Sequence, residues 1–203
     1  MSQIHDAELE LLHQVADELR EVFAERGYRV DLAMEVDPAF GSGWSRAAVT
    51  RDLVVDATSC AASRIGLDFR PVRGSGRELR TVSGTVDRRY RLRRAHRLAD
   101  GSLIINASSD SALAMSEDAD PSLFDQELWA LAWIPSAAGL IEEVLAAEVV
   151  GFVEGSPGHL VLGRVISLGG GEAPDRSFPP ADEGLDGFQD DDASDEDFGT
   201  ASA

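Results

Sequence analysis

Residues 86–98 read VDRRYRLRRAHRL, and residues 99–108 continue ADGSLIINAS. Side chains alternate across an extended backbone. The first run therefore predicts a strand with Val86, Tyr90, Leu92 and Leu98 on one face and Asp87, Arg89, Arg91, Arg93, Ala95 and Arg97 on the other. Asp100 and Gly101 supply a two-residue turn signal, after which residues 103–108 return as a second strand. In that register Leu98 lies opposite Leu103 and His96 opposite Ile105. The segments on either side of this hairpin do not alternate strand with crossover helix, as a parallel α/β sheet requires.

Towards the N-terminus, residues 6–26 repeat Leu9, Leu12, Val15, Ala16, Leu19, Val22 and Phe23 at spacings of three and four, the stripe of an amphipathic helix. Glu8 and Glu10 sit near the positive end of its dipole, and Gly27 supplies the stop. Residues 28–36 alternate, with Tyr28, Val30, Leu32, Met34 and Val36 against Arg29, Asp31 and Glu35, which predicts a half-buried strand. Asp37, Pro38 and the run Gly41, Ser42, Gly43 break it. Residues 47–57 and 64–72 read as further strands, and residues 73–77 as a loop.

Towards the C-terminus, residues 109–122 are polar and acidic and read as a surface connection. Residues 123–133 carry Phe124, Leu128, Leu131 and the pair Trp129 and Trp133, a pattern that suits a short helix ended by Pro135. Residues 141–153 fit either helix or strand. Residues 160–168 alternate, and the turn at 155–158 favours a second hairpin. The expectation is an α+β domain over residues 1–170, with a long N-terminal helix and a short helix in the C-terminal half packed on a mainly antiparallel sheet. Residues 171–203 follow as a disordered acidic tail.

Charge supports this division. The 203 residues carry a formal charge of −19. Eleven acidic residues and one Arg lie from Glu172 onward, so this short segment holds more than half of the net charge. Such a composition buries too little apolar surface to offset the entropy of ordering. Residues 64–97 run the opposite way, with eleven Arg against Asp68, Glu78 and Asp87.

All eighteen basic residues are Arg. A phosphate-binding loop of the Walker A type, a Schiff-base lysine and the lysine of restriction-type nucleases are thereby excluded. Cys60 is the single cysteine, so no intramolecular disulfide forms. The opening residues lack the basic and apolar regions of a secretory signal, and the most apolar run, 128–141, is interrupted by Pro135 and Ser136. These features lead to the expectation of a cytoplasmic chain without a membrane segment.

Three features carry potential chemistry. Arg89, Arg91, Arg93 and Arg97 would recur about every 6.8 Å along one strand face, a spacing able to follow a polyanion backbone. The same row could instead meet an acidic protein, the carboxylates of this chain, with 190–192 and 195–197 as the nearest tail clusters, or only solvent. Trp129 and Trp133, four apart, would share one helix face as either a partner-binding ridge or core.

Catalytic signatures are lacking: there is no G-x-S-x-G, H-E-x-x-H, C-x-x-C or G-x-G-x-x-G. Cys60 with His96 makes a poor nucleophile and base pair on sequence grounds, and Glu35, Asp37, Asp56, Asp68 and Glu78 would need to converge to hold a hard cation. The reading of the whole is a non-enzymatic interaction or adaptor protein that binds another protein, its acidic tail tuning charge recognition, with no cofactor or metal. The alternative is a nucleic-acid-binding module built on the Arg row and covered by the tail, and a metal-dependent hydrolase comes third.

Overall fold

The computed structural model describes residues 4–72, 76–107, 125–136 and 139–170. The tail from residue 171 and the connection at 109–122 lie outside the described residues. The chain is α+β, three helices packed with a curled, mostly antiparallel sheet. Helix α1 (Asp6–Arg26) is followed by α2 (Tyr28–Glu35), a 3₁₀ turn (Pro38–Phe40) and α3 (Gly43–Ile65). The strands are β1 (Asp68–Val72), β2 (Gly76–Ser83), β3 (Val86–Arg94), β4 (His96–Arg97), β5 (Leu103–Ile104), β6 (Asn106–Ala107), β7 (Asp125–Pro135), β8 (Ile141–Val153) and β9 (Gly158–Gly170).

Seven strands form one sheet in the order β1-β2-β3-β7-β8-β9-β6, and β4 pairs with β5 separately. Among the described strands every pairing is antiparallel except β3 with β7, which runs parallel from Val86 beside Asp125 to Arg94 beside Trp133. The sheet is thus two antiparallel meanders, β1-β2-β3 and β7-β8-β9, joined along one parallel seam.

Helix α1 matches the expected stripe, burying Leu12, Val15, Ala16, Leu19, Val22 and Phe23. It packs with α3 on one sheet face over Leu79, Tyr90, Leu92, Trp129, Leu131 and Trp133. The opposite face holds a second apolar cluster in which Ala130, Ala132, Ile134, Leu145, Ala147 and Leu160 pack against Ala95, Ile105 and Ala107. The short segment from β4 to β6 therefore closes over the curled side of the sheet.

Three expected elements are corrected. Of residues 28–36, Tyr28–Glu35 form helix α2 and not a strand, with Val36 as its C-cap: the alternation also contains the four-residue spacing Tyr28, Leu32, Val36, and Leu, Ala, Met and Glu favour helix over strand. Residues 47–57 belong to α3, whose buried Val54, Ala57, Thr58, Ala61 and Ala62 keep helical spacing. Ser42, read as part of a break, caps that helix by accepting the Ser45 backbone N–H at 3.2 Å. Gly66, at φ 74°, ends it in the left-handed conformation.

The third correction concerns residues 123–133, expected as the short helix of the C-terminal half. From Asp125 they form β7, a central strand. Trp129, Leu131 and Trp133 face the helices while Ala130, Ala132 and Ile134 face the second cluster. Burial on both faces removes the polar alternation by which a strand is recognised.

The central hairpin is shorter than its sequence suggests. Strand β3 ends at Arg94, and only His96 and Arg97 pair back, with Ile104 and Leu103. The register differs by one because the loop has three residues: Leu98 N–H donates to the Ser102 carbonyl at 2.8 Å, and Gly101 takes φ 84°. Asp100 Oδ1 accepts from the Ser102 N–H at 2.8 Å and fixes the turn. The second hairpin, β8 with β9, forms as expected.

Candidate interaction surface

The Arg row lies on β3, which is an interior strand with β2 on one side and β7 on the other. Arg89 and Arg91 are buried, Arg91 to 1% exposure. Arg91 Nε stands 2.8 Å from Glu78 Oε2, and Arg70 donates to Glu78 Oε1 through Nη2 at 3.0 Å and Nε at 3.2 Å. Next to this set, Arg80 grips Asp87 with two bonds, Nε to Oδ1 at 2.7 Å and Nη2 to Oδ2 at 3.1 Å, while Arg89 Nε lies 3.5 Å from Asp87 Oδ2.

The register explains the ladder: Glu78 pairs with Arg91 and Arg80 with Arg89 across β2 and β3, so acids and arginines interleave on one face. Of the partners weighed for the row, Arg89 and Arg91 thus have this chain's own carboxylates. The hydrogen bond that Arg80 donates to Asp87 raises its pKa against an opposing desolvation. Half-buried Arg93 donates from Nη1 to the Leu92 carbonyl at 3.0 Å, and burial, followed by the charges of Arg91 and Arg51, lowers its pKa to about 10.

Arg97 leaves the row altogether. It sits exposed on β4, donates to the Gly101 carbonyl at 3.0 Å and pairs with Glu143. The four arginines therefore do not form a continuous exposed track, because the strand that carries three of them ends at Arg94. Trp129 and Trp133 both lie in the core beneath the helices.

A second charged group, on the helix face, was missed by sequence reasoning. Glu8 is buried, and its Oε2 accepts from Arg88 Nη1 at 2.5 Å while its Oε1 accepts from Tyr90 OH at 2.8 Å and from the Thr81 hydroxyl. Arg88 Nε turns to Glu127 Oε2 at 2.7 Å, and the same oxygen accepts Trp129 Nε1 at 3.3 Å. Burial, then the charge of Glu8, pushes the Tyr90 phenol well above its ordinary value. Burial works against the Arg88 cation, yet the bond to Glu127 and the charge of Glu8 outweigh it and raise its pKa.

The signal for this group was present in the sequence. Glu8 continues the stripe of Leu12, Val15 and Leu19, and Arg88 shares the apolar parity of Tyr90 and Leu92. A charge at a core-facing position on two elements predicts that the charges meet, since an isolated buried charge is too costly.

Beside Glu8 opens a groove of about 430 Å³ lined by His5, Asp68, Arg80, Thr81 and Ser83 among others. Glu8 forms part of its wall with both oxygens already engaged. Of the carboxylates considered for a cation, Asp56 pairs with Arg26 at 2.8 Å, Glu78 is taken by two arginines, and Glu35 and Asp37 are exposed near the end of α2. Among the described residues no three His, Cys, Asp or Glu gather as a metal-ion cluster. Cys60 is exposed on α3, and His96 belongs to β4.

The large apolar side chains of residues 28–44 lie elsewhere. Within residues 28–53 only Val30 is buried, so α2, the 3₁₀ turn and the first half of α3 form an arm outside the core. Along it Tyr28 is 57% exposed, Leu32 52%, Val36 77%, Phe40 44% and Trp44 88%. Tyr28, Leu32 and Val36 follow at four-residue spacing and so form one stripe on α2. An ion pair between Arg46 and Asp31 ties α3 to α2.

Gly27 launches the arm. Its N–H bonds the Phe23 carbonyl at 2.9 Å, and a Cβ there would meet that oxygen at 2.5 Å. A side chain at this junction of α1 and α2 would press on backbone that is already in place.

No helix among the described residues is long and apolar enough to cross a membrane. Compared with protein-family models, with curated proteins and with solved structures, the chain matches none.

Proposed function

We propose that this chain acts as a protein-interaction module, without covalent chemistry of its own, and that its arm is the docking surface. The observation that carries the reading is the exposure of Trp44 and Val36, at 88% and 77%, on a segment that also presents Tyr28, Leu32 and Phe40. Scattered exposed apolar residues are ordinary, but five large ones on one short segment expose an area of about 600 Å², the upper end of the largest apolar patch on a monomer, and patches of that size are often functional. Tryptophan and tyrosine are also the residues on which interface energy concentrates.

This reading places the arm ahead of the Arg row. Arg89 and Arg91 are withdrawn from the surface and set against Glu78 and Asp87, so a polyanion would have to displace buried ion pairs to reach them. The acidic segment from Glu172 onward, with its single Arg176, tunes which charged partners approach, as a dense field of one sign does.

The test is retention of proteins on the immobilised full-length chain, compared with a variant carrying Val36→Ser and Trp44→Ser. The expected result is a protein retained by the wild type and lost from the variant while both melt at the same temperature. Identical retention by the two chains would overturn the reading.

A further inference from the structure

We infer that the partner seated on the arm is a second copy of the same chain, with two arms packing side by side about a two-fold axis. The inference rests on the arm being a docking surface and names its occupant.

Charge is the first argument. The chain carries −19, yet residues 28–53 hold three Arg against four acidic residues, a net of −1. A surface made for a strongly basic protein would concentrate acids around its apolar stripe. A surface that meets itself must avoid like charges face to face, and near-neutrality achieves that. The two halves of the arm are also complementary. Asp31, Glu35 and Asp37 lie on or just beyond α2, and Arg46 lies on α3, already paired with Asp31 within one chain. A two-fold contact sets the same patch against itself, and an arrangement with α2 of one copy against the first half of α3 of the other brings the net negative residues 28–37 to the net positive residues 43–53.

Area is the second argument. At the exposures given above, and with whole side chains of roughly 150–250 Å², the five apolar residues present about 600 Å². A stable interface of standard size covers about 800 Å² on each partner, so these residues with their polar rim supply what one copy must contribute. Two helices alone have no further layer to pack on. Two such pairs make a four-helix arrangement with a shared apolar interior.

The experiment is sedimentation velocity on the full-length chain from 1 to 100 µM, in parallel with Leu32→Glu and Trp44→Glu variants checked by circular dichroism for an unchanged fold. The expected result is a wild-type dimer across the upper part of this range and variants that sediment as monomers, with an apparent dissociation constant raised at least tenfold. Both positions are exposed in the single chain, so neither change disturbs its core. A wild-type chain that stays monomeric at 100 µM overturns the inference, and so does a dimer that both variants retain. If the wild type is monomeric while protein retention still depends on Val36 and Trp44, self-pairing fails and the docking surface stands. If neither association depends on the arm, both fail.

Discussion

Arg88 Nη1 donates to Glu8 Oε2 at 2.5 Å across 80 residues of sequence, and the pair is the central polar tie between helix α1 and the interior strand β3. Exposure of 1% for Arg88 and 5% for Glu8 leaves no solvent to replace either partner. Glu8→Ala would take one carboxylate away from the buried Arg88 cation and deprive Tyr90 and Thr81 of their acceptor. We expect a loss of about 3–5 kcal/mol, the range for breaking a buried pair from one side. The double change Glu8→Leu with Arg88→Met removes both charges and should recover part of that loss, Tyr90 and Thr81 still lacking their acceptor. Urea unfolding of the wild type, Glu8→Leu, Arg88→Met and the double variant checks this, and additive losses would show that the pair does not act as a unit.

The two core tryptophans differ in their N–H groups. Trp129 Nε1 donates to Glu127 at 3.3 Å, whereas Trp133 Nε1 is buried without a hydrogen-bond partner among the described residues. Trp129→Phe should therefore cost about 1 kcal/mol more than Trp133→Phe, the net value of one hydrogen bond. Equal midpoints in thermal unfolding would contradict the assignment.

Gly27→Ala would ordinarily favour a helix by about 1 kcal/mol. Here the sign should reverse, because the added carbon meets the Phe23 carbonyl oxygen at 2.5 Å and the Gly139 carbonyl oxygen at 3.1 Å. We expect destabilisation of roughly 1–3 kcal/mol, as overpacking against rigid backbone produces. A raised melting temperature would mean that the backbone around Gly27 gives way freely.

His96 is held below its ordinary pKa, first by burial and then by the charge of Arg94. As pH falls below about 6.5 the unfolded chain takes up this proton before the folded chain does, so the fold loses stability through His96. His96→Asn removes that dependence. The stability difference between wild type and variant should shift against the wild type from pH 7.5 down to pH 5, measured as urea midpoints. A difference independent of pH would contradict it.

The elements that could be read from sequence are those with one wet face. Helix α1 shows a clean stripe because one side meets solvent, and the β8 and β9 hairpin is marked by its turn residues. Strand β7 could not be read because it is apolar on both faces, and α2 was misread because nine residues satisfy period two and period four at once. The site was legible only in pieces. Arg89 and Arg91 were visible as a row, but their depth follows from β3 lying between β2 and β7, which no local pattern encodes. The arm was equally hidden: exposure of Trp44 depends on where the core ends, at Val54, and not on the identity of its neighbours.

The parallel seam between β3 and β7 bears on the order in which the chain folds. Each meander has short turns and can close locally, within microseconds for a hairpin. Joining them must wait until residues 95–124 have looped round, a closure whose entropy is lost before any contact across the seam rewards it. Until then β7 is absent from the open side of β3, where Leu128 and Ala130 later stand beside Arg89 and Arg91. Dehydration of those cations is therefore completed only when the two meanders join.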